Sequence, residues 1–321
     1  MQKAPMEVKL MSETGLHKKS FKSRVQNNYE FWLFCLPGLI LTFIFSYIPI
    51  YGILIAFKDY SASKGITGSP WTSMHGFKHF VRFVKGPYFA MTMKNTFILS
   101  IYSLVAGFPI PIILALLLNS FNRQRYKKVI QSVTYAPNFI STVVMAGMII
   151  LFLSPSSGVI NSVFKLFGQE PVNFMAKPSL WRHIYVWSGV WQSSGWSAVI
   201  YIAALSSVNP ELHEAAVVDG ANKWQIIRYV DFPSILPTAI ILLILNFGSI
   251  MSVGFEKAYL LQNDLNLPVS EIISTYVYKV GMIDRNMSYS TAIGLFNSVI
   301  NAVLLLSVNK IADKVSGNSL W

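Results

Sequence analysis

The clearest local chemistry in this sequence lies in segment 209–233, between two long uncharged stretches. Asn209 followed by Pro210 is typical of a helix start, because an asparagine side chain caps free backbone amides and proline lacks one. Glu211 and Glu214 come in the early turns, where the positive end of the helix dipole favours carboxylates. A short helix is therefore predicted from residue 209 onwards.

The second half of the segment predicts a turn and another helix. Gly220 is typical of the left-handed residue that ends a helix. Asn222 and Gln225, three positions apart, have the pattern of a capping box for the next helix, which runs towards Pro233. A helix, a turn and a second helix can also be an ordinary connection, so the function of this segment depends on its other residues.

Sequence motifs for nucleotide binding and for common hydrolases are absent. There is no Gly-x-x-x-x-Gly-Lys-Ser/Thr loop to hold ATP phosphates, no His-Glu-x-x-His and no Gly-x-Ser-x-Gly. The single cysteine, Cys35, excludes an intrachain disulfide. His75 and His79 are four residues apart but lack a third ligand, which makes a poor metal site. We predict no catalytic residue, no metal and no cofactor in this chain.

The composition indicates a membrane protein. Hydrophobic residues make up 53% of the 321 residues and charged residues 12%, against roughly 25% charged residues in an ordinary soluble domain. The formal charge of +12 would also suit a nucleic-acid partner, but the charges form short clusters between long uncharged stretches. That distribution favours membrane lipid, and we predict no nucleic-acid binding.

Six stretches lack Asp, Glu, Lys, Arg and His and exceed the ~20 residues that a helix needs to cross a bilayer. Apolar runs of this length predict helices, because barrel strands would be shorter and alternating. The fold class is therefore an all-α integral membrane protein with a six-helix domain over 31–309. We place the spans at about 31–57, 95–122, 132–153, 184–208, 232–255 and 286–309, with terminal tails at 1–30 and 310–321.

Orientation follows from the short connection 123–128, which carries four positive charges in six residues. Short loops rich in lysine and arginine stay in the cytoplasm. Both tails and segment 209–233 are then cytoplasmic, and 58–94 and 256–285 lie on the outer side of the plasma membrane.

The first outer segment contains an amphipathic pattern. Its apolar residues Phe77, Phe80, Val81 and Val84 are spaced i, i+3, i+4 and i+7, with basic residues between them. This spacing predicts a helix that lies in the outer membrane interface. An irregular loop is the alternative.

Segment 209–233 resembles the EAA loop of permease subunits of bacterial ATP-binding-cassette importers. That loop reads Glu-Ala-Ala, three residues, Gly, nine residues and Ile-x-Leu-Pro. Here Val230 stands for the isoleucine and Phe232 for the leucine, and both remain apolar. The residues that the resemblance assigns to coupling with an ATPase are Glu214, Ala215, Ala216, Asp219, Gly220 and Pro233.

Other short motifs spread the resemblance over most of the chain. They look like those of the lipoprotein-associated oligosaccharide permeases related to maltose-type systems, a subclass similar to importers of plant-polysaccharide and uronic-acid oligosaccharides. The motifs are Phe57-Lys-Asp-Tyr60, Gly68-Ser-Pro-Trp71, Tyr135-Ala-Pro137, Trp187-Ser-Gly-Val-Trp191, Thr275-Tyr-Val-Tyr278, Gly294-Leu-Phe-Asn-Ser298 and Ser319-Leu-Trp321.

The resemblance implies a type I permease bundle with a cytoplasmic EAA coupling helix. Its expected partners are a second homologous permease, two ATPase subunits that bind ATP and Mg, and an extracytoplasmic solute-binding lipoprotein. The chain would be the non-catalytic half of an ATP-driven oligosaccharide importer. Alternatives are a permease for another solute, such as glycerol phosphate or a peptide, an ion-coupled secondary carrier, and a membrane enzyme acting on lipid-linked sugars.

A sugar path through apolar helices needs hydrogen-bonding groups and aromatic faces. One pair of tryptophans and one pair of asparagines each share a helix face through i, i+4 spacing. Two further side-chain amides, one glutamine and one asparagine, lie at membrane depth. The same residues would equally serve as an interfacial aromatic belt or as bonds between helices. The candidates are Trp187 and Trp191, Asn297 and Asn301, Gln192 and Asn246.

The predicted orientation can be tested by cysteine labelling with an impermeant thiol reagent in intact, wall-stripped cells. Cysteines at Lys64 and Asn263 should react, because both positions are placed outside. A cysteine at Gln124 should not react, because the positive-inside rule places it in the cytoplasm. Labelling at Gln124 alone would invert the topology.

Overall fold

The computed structural model describes residues 29–121, 123–317 and 319–320. Within these ranges the regular secondary structure is helical, and the only extended pairing is an isolated antiparallel bridge between Lys58 and Trp71. The predicted all-α class is confirmed for this part of the chain. The predicted tail 1–30 lies almost wholly outside the described residues.

The α-helices of the described residues are numbered in chain order. The first eight are α1 Tyr29–Thr42, α2 Gly65–Gly68, α3 Lys78–Val84, α4 Pro87–Gly107, α5 Pro109–Asn119, α6 Gln124–Tyr135, α7 Thr142–Phe152 and α8 Val159–Leu166. The others are α9 Pro178–Ser206, α10 Pro210–Val218, α11 Lys223–Ile226, α12 Phe232–Gly248, α13 Phe255–Leu260, α14 Leu267–Ser270, α15 Ile273–Tyr278 and α16 Met287–Ser316.

Shorter turns extend or join these helices. Three are π-helical, at Phe43–Tyr47, Ile227–Asp231 and Lys279–Ile283. Four are 3-10 helices, at Ile48–Phe57, Met74–Gly76, Ala136–Phe139 and Phe174–Ala176.

The chain forms two compact units, 1–52 and 53–321. The described part of the first unit is α1, the π-helical turn Phe43–Tyr47 and the start of the 3-10 helix Ile48–Phe57. Pro49 accounts for the change of helix type there, because its ring would clash with the carbonyl group of Phe45 in a regular α-helix.

Four helical stretches of the described chain are long and apolar enough to cross a bilayer, namely Tyr29–Phe57, Pro87–Asn119, Lys223–Gly248 and Met287–Val315. The pair Gln124–Phe139 and Thr142–Phe152 makes a fifth if it counts as one span, although it is bent by 96°. The remaining predicted span, 184–208, is the fourth in chain order and corresponds to α9. That helix has 29 residues but carries Arg182, His183 and several serines, which reduce its apolar character.

The predicted span 132–153 is divided in the structure. The 3-10 turn before the bend contains Pro137, which lacks an amide to continue the hydrogen-bond ladder. After the bend, the Ser141 hydroxyl oxygen accepts a hydrogen bond from the Val144 amide at 3.3 Å and caps α7. Proline and a capping serine together explain why one apolar run forms two helices.

Helix α9 is the central helix of the second unit. Its Trp181 is fully buried and donates its indole N–H to the Leu261 carbonyl oxygen at 3.0 Å. One buried apolar cluster packs around its first half, formed by Leu99, Ala146, Trp181, Tyr185, Val186, Val190, Ala258, Leu261 and Ile272. A second packs around its last turns, formed by Ile112, Ala115, Leu116, Ala198, Tyr201, Leu205, Ile235 and Ala239.

The predicted amphipathic helix is present as α3, Lys78–Val84. It packs on α16 through His79 and Phe83, which are buried, while Phe77 and Val84 of the predicted apolar face are exposed. The exposed apolar face remains free for the membrane interface.

Gly195 allows α9 to approach α6 closely. A Cβ atom at this position would lie 2.0 Å from the Thr134 carbonyl oxygen, which is far inside contact distance. Membrane helices associate through such close contacts, because burial in lipid adds little driving force of its own.

Gly195→Ala should therefore destabilise the bundle, by about 1–3 kcal/mol in the free energy of unfolding, since backbone atoms have to move to accommodate the methyl group. Gly294→Ala is the matched control, because a Cβ atom there meets nothing within 4 Å. The measurement is the thermal unfolding midpoint of each purified variant in one detergent. Equal midpoints for the two variants would contradict the close contact.

Candidate functional site

The segment 209–233 begins with the capped helix α10. The Asn209 side-chain oxygen accepts a hydrogen bond from the Glu211 amide at 3.1 Å, and Pro210 occupies the first helical position. Both features agree with the sequence prediction. The cap fixes the point where the chain leaves α9 and starts α10.

A left-handed glycine ends α10. Gly220 has φ +79°, its amide donates to the Val217 carbonyl oxygen at 3.0 Å, and the Ala221 amide donates to the Ala216 carbonyl oxygen at 2.9 Å. These two bonds are those of a Schellman motif, which satisfies the last carbonyl groups of a helix. Because a Cβ atom at Gly220 would meet nothing within 4 Å, glycine is needed there for its backbone conformation alone.

The next helix starts with the predicted capping box. The Asn222 side-chain oxygen accepts from the Gln225 amide at 3.0 Å, and the Gln225 side-chain oxygen accepts from the Asn222 amide at 2.7 Å. The helix continues through the π-helical turn into α12, where Pro233 lies in the first turn. The segment therefore leaves and re-enters the bundle as two helices joined at one glycine.

The outer surface of this segment has no partner among the described residues. Glu214, Ala215 and Asp219 are exposed, and neither carboxylate forms a hydrogen bond or ion pair with another described residue. Val218 beside them is 87% exposed. The segment therefore presents one exposed apolar side chain beside two free carboxylates.

The inner surface of α10 holds a contact that the sequence analysis did not identify. His213 and Asp231 are in hydrogen-bond contact, with 2.9 Å between Nε2 and Oδ1. Asn119 at the end of α5 donates its side-chain amide to the same Oδ1 at 3.3 Å. The only sequence signal was a histidine next to the Glu-Ala-Ala triplet, because the three residues come together only in the folded chain.

A cavity of about 540 Å³ lies among helices α4, α5, α9 and α12 and the non-helical segment after α12. It is lined by Ser100, Ser103, Leu104, Gly107, Phe108, Pro111, Tyr185, Ser193, Trp196, Ser197, Val199, Ile200, Tyr201, Leu242, Asn246, Ser249, Ile250, Val253 and Gly254. Hydroxyl groups and aromatic rings thus share one concave surface.

Several polar side chains of the cavity already donate a hydrogen bond to a backbone carbonyl oxygen of their own helix. Ser100 donates to the Thr96 carbonyl oxygen at 2.6 Å, Ser193 to that of Gly189 at 2.9 Å, and the Asn246 side-chain NH2 to that of Leu242 at 2.8 Å. Their oxygen lone pairs remain available as acceptors. A ligand rich in hydroxyl donors and with one apolar ring face would match this lining.

Of the six predicted solute-path residues, Asn246 lines the cavity. Trp187 and Trp191 are both about half exposed, and Trp187 donates its indole N–H to the Tyr102 hydroxyl at 2.8 Å. Neither belongs to the cavity lining. The aromatic residues that do line it, Tyr185 and Trp196 among them, share their helix with small serines, and this pairing of serines and rings was the signal available in the sequence.

The three other predicted amides bond to backbone groups where helices are interrupted. Gln192 donates to the Ile140 carbonyl oxygen at 2.8 Å, at the bend between α6 and α7. Asn301 accepts from the Met251 amide at 2.9 Å, and Asn297 donates to the Met251 carbonyl oxygen at 3.2 Å. These side chains stabilise the breaks rather than line the cavity.

One buried cation lies close to the cavity wall. The Lys257 ammonium donates to the Tyr185 carbonyl oxygen at 2.8 Å and lies 4.9 Å from the centre of the Tyr185 ring. Burial lowers the pKa of Lys257 to about 8. Its charge is therefore present at neutral pH and is lost as the pH rises through that value.

Comparison with known proteins identifies the family. The binding-protein-dependent transport system inner membrane component family matches residues 86–317, which include both the loop and the cavity. The chain belongs to this family. The resemblance drawn from the EAA pattern is thus confirmed, and this inner membrane component is a permease subunit of an ABC importer.

Two relatives from Bacillus subtilis (strain 168) match almost the whole permease. The polygalacturonan/rhamnogalacturonan transport system permease protein YteP is 38% identical over 92% of this chain and 91% of its own length. Protein LplB is 37% identical over 94% of each chain.

Two solved structures have the same fold as this permease, each with a TM-score of 0.84. One is a bacterial ABC transporter involved in the import of the acidic polysaccharide alginate, 37% identical over 92% of this chain and 99% of that chain. The other is a bacterial alginate ABC transporter in complex with an alginate pentasaccharide-bound periplasmic protein, 36% identical over 94% and 99%.

The backbone conformation of Gly220 leads to a graded prediction. Gly220→Val should abolish solute-stimulated ATP hydrolysis in the assembled complex, because a left-handed conformation costs a β-branched residue about 1–2 kcal/mol or more. Gly220→Asn should retain most of it, since asparagine tolerates that conformation. Expression level and pairing with the second permease should stay unchanged in both. Full stimulation in Gly220→Val would show that the turn has no part in coupling.

Proposed function

We propose that this permease forms one half of the translocation path of an ATP-driven oligosaccharide importer and receives the ATPase movement through segment 209–233. The cavity carries this proposal, because its hydroxyl oxygens and aromatic rings suit a sugar and it lies in the helices that continue into the segment. The relatives named for polysaccharide transport support it.

The proposal includes six transmembrane spans with both termini in the cytoplasm. Helix α9 would be the remaining span, the fourth in chain order, because at about 1.5 Å per residue its 29 residues exceed the thickness of the hydrocarbon core. It lies between its neighbours in the two apolar clusters, so its serines need not face lipid. The basic connection 123–128 then faces the cytoplasm together with α10.

We further propose that the solute is an acidic oligosaccharide. Segment 58–94, which we place outside, carries six Lys and Arg residues but only one carboxylate, Asp59. Lys257 adds a positive charge beside the cavity. Positive charge of this kind attracts polyanions and accelerates their association. The acidic polysaccharide named for the solved relative supports the same class.

The importer would consist of this chain, a second homologous permease, two ATPase subunits and an extracytoplasmic binding lipoprotein. The exposed Val218 with Glu214 and Asp219 would form the ATPase contact. The outer segments would face the binding protein, as the complex of the alginate transporter with its periplasmic protein supports. ATP and Mg would be bound by the ATPase subunits.

The test is reconstitution of the complete complex in proteoliposomes, with ATP inside and the binding protein outside. Galacturonate or alginate oligosaccharides should accumulate and stimulate ATP hydrolysis, and neutral oligosaccharides of equal length should do so weakly. Raising the salt concentration should slow uptake of the acidic solutes, because screening shortens the reach of the basic outer segment.

Two matched variants connect uptake with the cavity. Ser197→Phe should block uptake because it fills the cavity, whereas Ser206→Phe, on the same helix but outside the lining, should not. Uptake driven by an ion gradient without the ATPases would contradict the proposal. If the reconstituted complex preferred glycerol phosphate or a peptide, the chain would still be an importer permease, but its solute would not be an oligosaccharide.

A further inference from the structure

Asp231 is the point where three helices meet on the side of the bundle that we propose to be cytoplasmic. Its side chain is only 3% exposed, although it lies next to the first turn of α12. A buried carboxylate is stable only when other groups hydrogen-bond to it or carry the opposite charge. The identity of those groups therefore shows which parts of the chain Asp231 connects.

Two side chains from distant parts of the sequence bond to Asp231. His213 in α10 lies 2.9 Å from Oδ1 through its Nε2, and Asn119 at the end of α5 lies 3.3 Å from the same atom. Both nitrogen atoms act as donors to the carboxylate. One oxygen atom thus links α10, α5 and the start of α12.

The linked helices are rigidly packed beneath this contact. Ile112, Ala115 and Leu116 of α5 and Ile235 of α12 belong to the same buried cluster, and Ile227 packs against it. Close-packed interiors transmit displacement as a unit instead of deforming locally. A movement applied at Asp231 would therefore shift both helices together.

The same two helices form part of the cavity wall. Phe108 and Pro111, at the start of α5, and Leu242 and Asn246, in the second half of α12, all line the cavity. The His213 bond is therefore a direct polar connection from α10 to two of the helices that line the cavity.

We propose that the His213–Asp231–Asn119 contact is the linkage through which displacement of α10 reaches the cavity. The proposal rests on the function proposed for segment 209–233. Glu214 and Asp219 face outwards for contact with the ATPase, whereas His213 faces inwards and carries the displacement to α5 and α12. His213 and Asp231 are positioning residues and contact neither nucleotide nor solute.

The test uses the complete complex in lipid, with this chain carrying Cys35→Ser and Ser197→Cys, which places one thiol in the cavity wall. Its reaction rate with a small thiol reagent is measured without nucleotide and after trapping with ATP and vanadate. Ser206→Cys, on the same helix outside the cavity, is the reference. The readout reports cavity rearrangement and needs no knowledge of the solute.

In this background, His213→Leu removes the donor and His213→Gln restores an amide donor at a similar distance. His213→Leu should keep both ATPase subunits and trap vanadate, yet lose the nucleotide-dependent change in the rate at Ser197→Cys. His213→Gln should recover that change. Asp231→Asn, which keeps the shape of the side chain, should show an intermediate loss.

Each outcome has one meaning. If the complex with His213 intact shows no nucleotide-dependent change, the proposed coupling function itself fails. If that complex responds and His213→Leu responds equally, the linkage alone is wrong. Loss of the ATPase subunits from the His213→Leu complex would also overturn it, because His213 would then serve the docking surface.

Discussion

Lipid offers no hydrogen-bond partners, so each interruption of a membrane helix has to be satisfied by the protein itself. Side-chain amides meet this constraint at two interruptions. Gln192 bonds to the Ile140 carbonyl oxygen at the bend after α6, and Asn301 bonds to the Met251 amide after α12. The cavity lies beside the second interruption, since Ser249 and Gly254 form part of its wall. The amides thus allow the bundle to contain a polar space.

Segment 209–233 is under the opposite condition, because its outward-facing groups are exposed and can bond to water. Its shape comes from local caps at Asn209, Gly220 and Asn222, and these leave Glu214 and Asp219 free on the outer side. The two environments meet at Asp231. The buried Asp231 carboxylate connects the water-exposed helix α10 to helices α5 and α12 of the apolar bundle. Mechanical coupling requires such a connection.

The sequence predicted features that depend on neighbouring residues. The capping box, the left-handed Gly220 and the helix around Phe77–Val84 are all present, because propensity and spacing within a few residues determine them. Family membership was also accessible, since the EAA pattern is a linear motif. The predicted span 184–208 stays a prediction, because α9 carries polar residues that its burial between other helices accommodates.

Features that depend on contacts between distant residues were not predictable. Asn297 and Asn301 share a helix face as expected, yet they bond to the backbone around Met251, and no local pattern encodes that partner. The buried face of α3 is set by α16, so the apolar spacing around Phe77 indicated the exposed side instead. The contact of His213 with Asp231 spans 18 residues of sequence and depends on the turn at Gly220.

The central claim is that segment 209–233 is the surface on which the ATPase acts. The direct measurement is cross-linking from Val218→Cys in a Cys35→Ser chain, in the assembled complex, with and without ATP and vanadate. Cross-links to an ATPase subunit are expected, with a yield that changes when nucleotide is trapped. An ATPase that remains bound to the complex but never cross-links to this position, in either state, would contradict it.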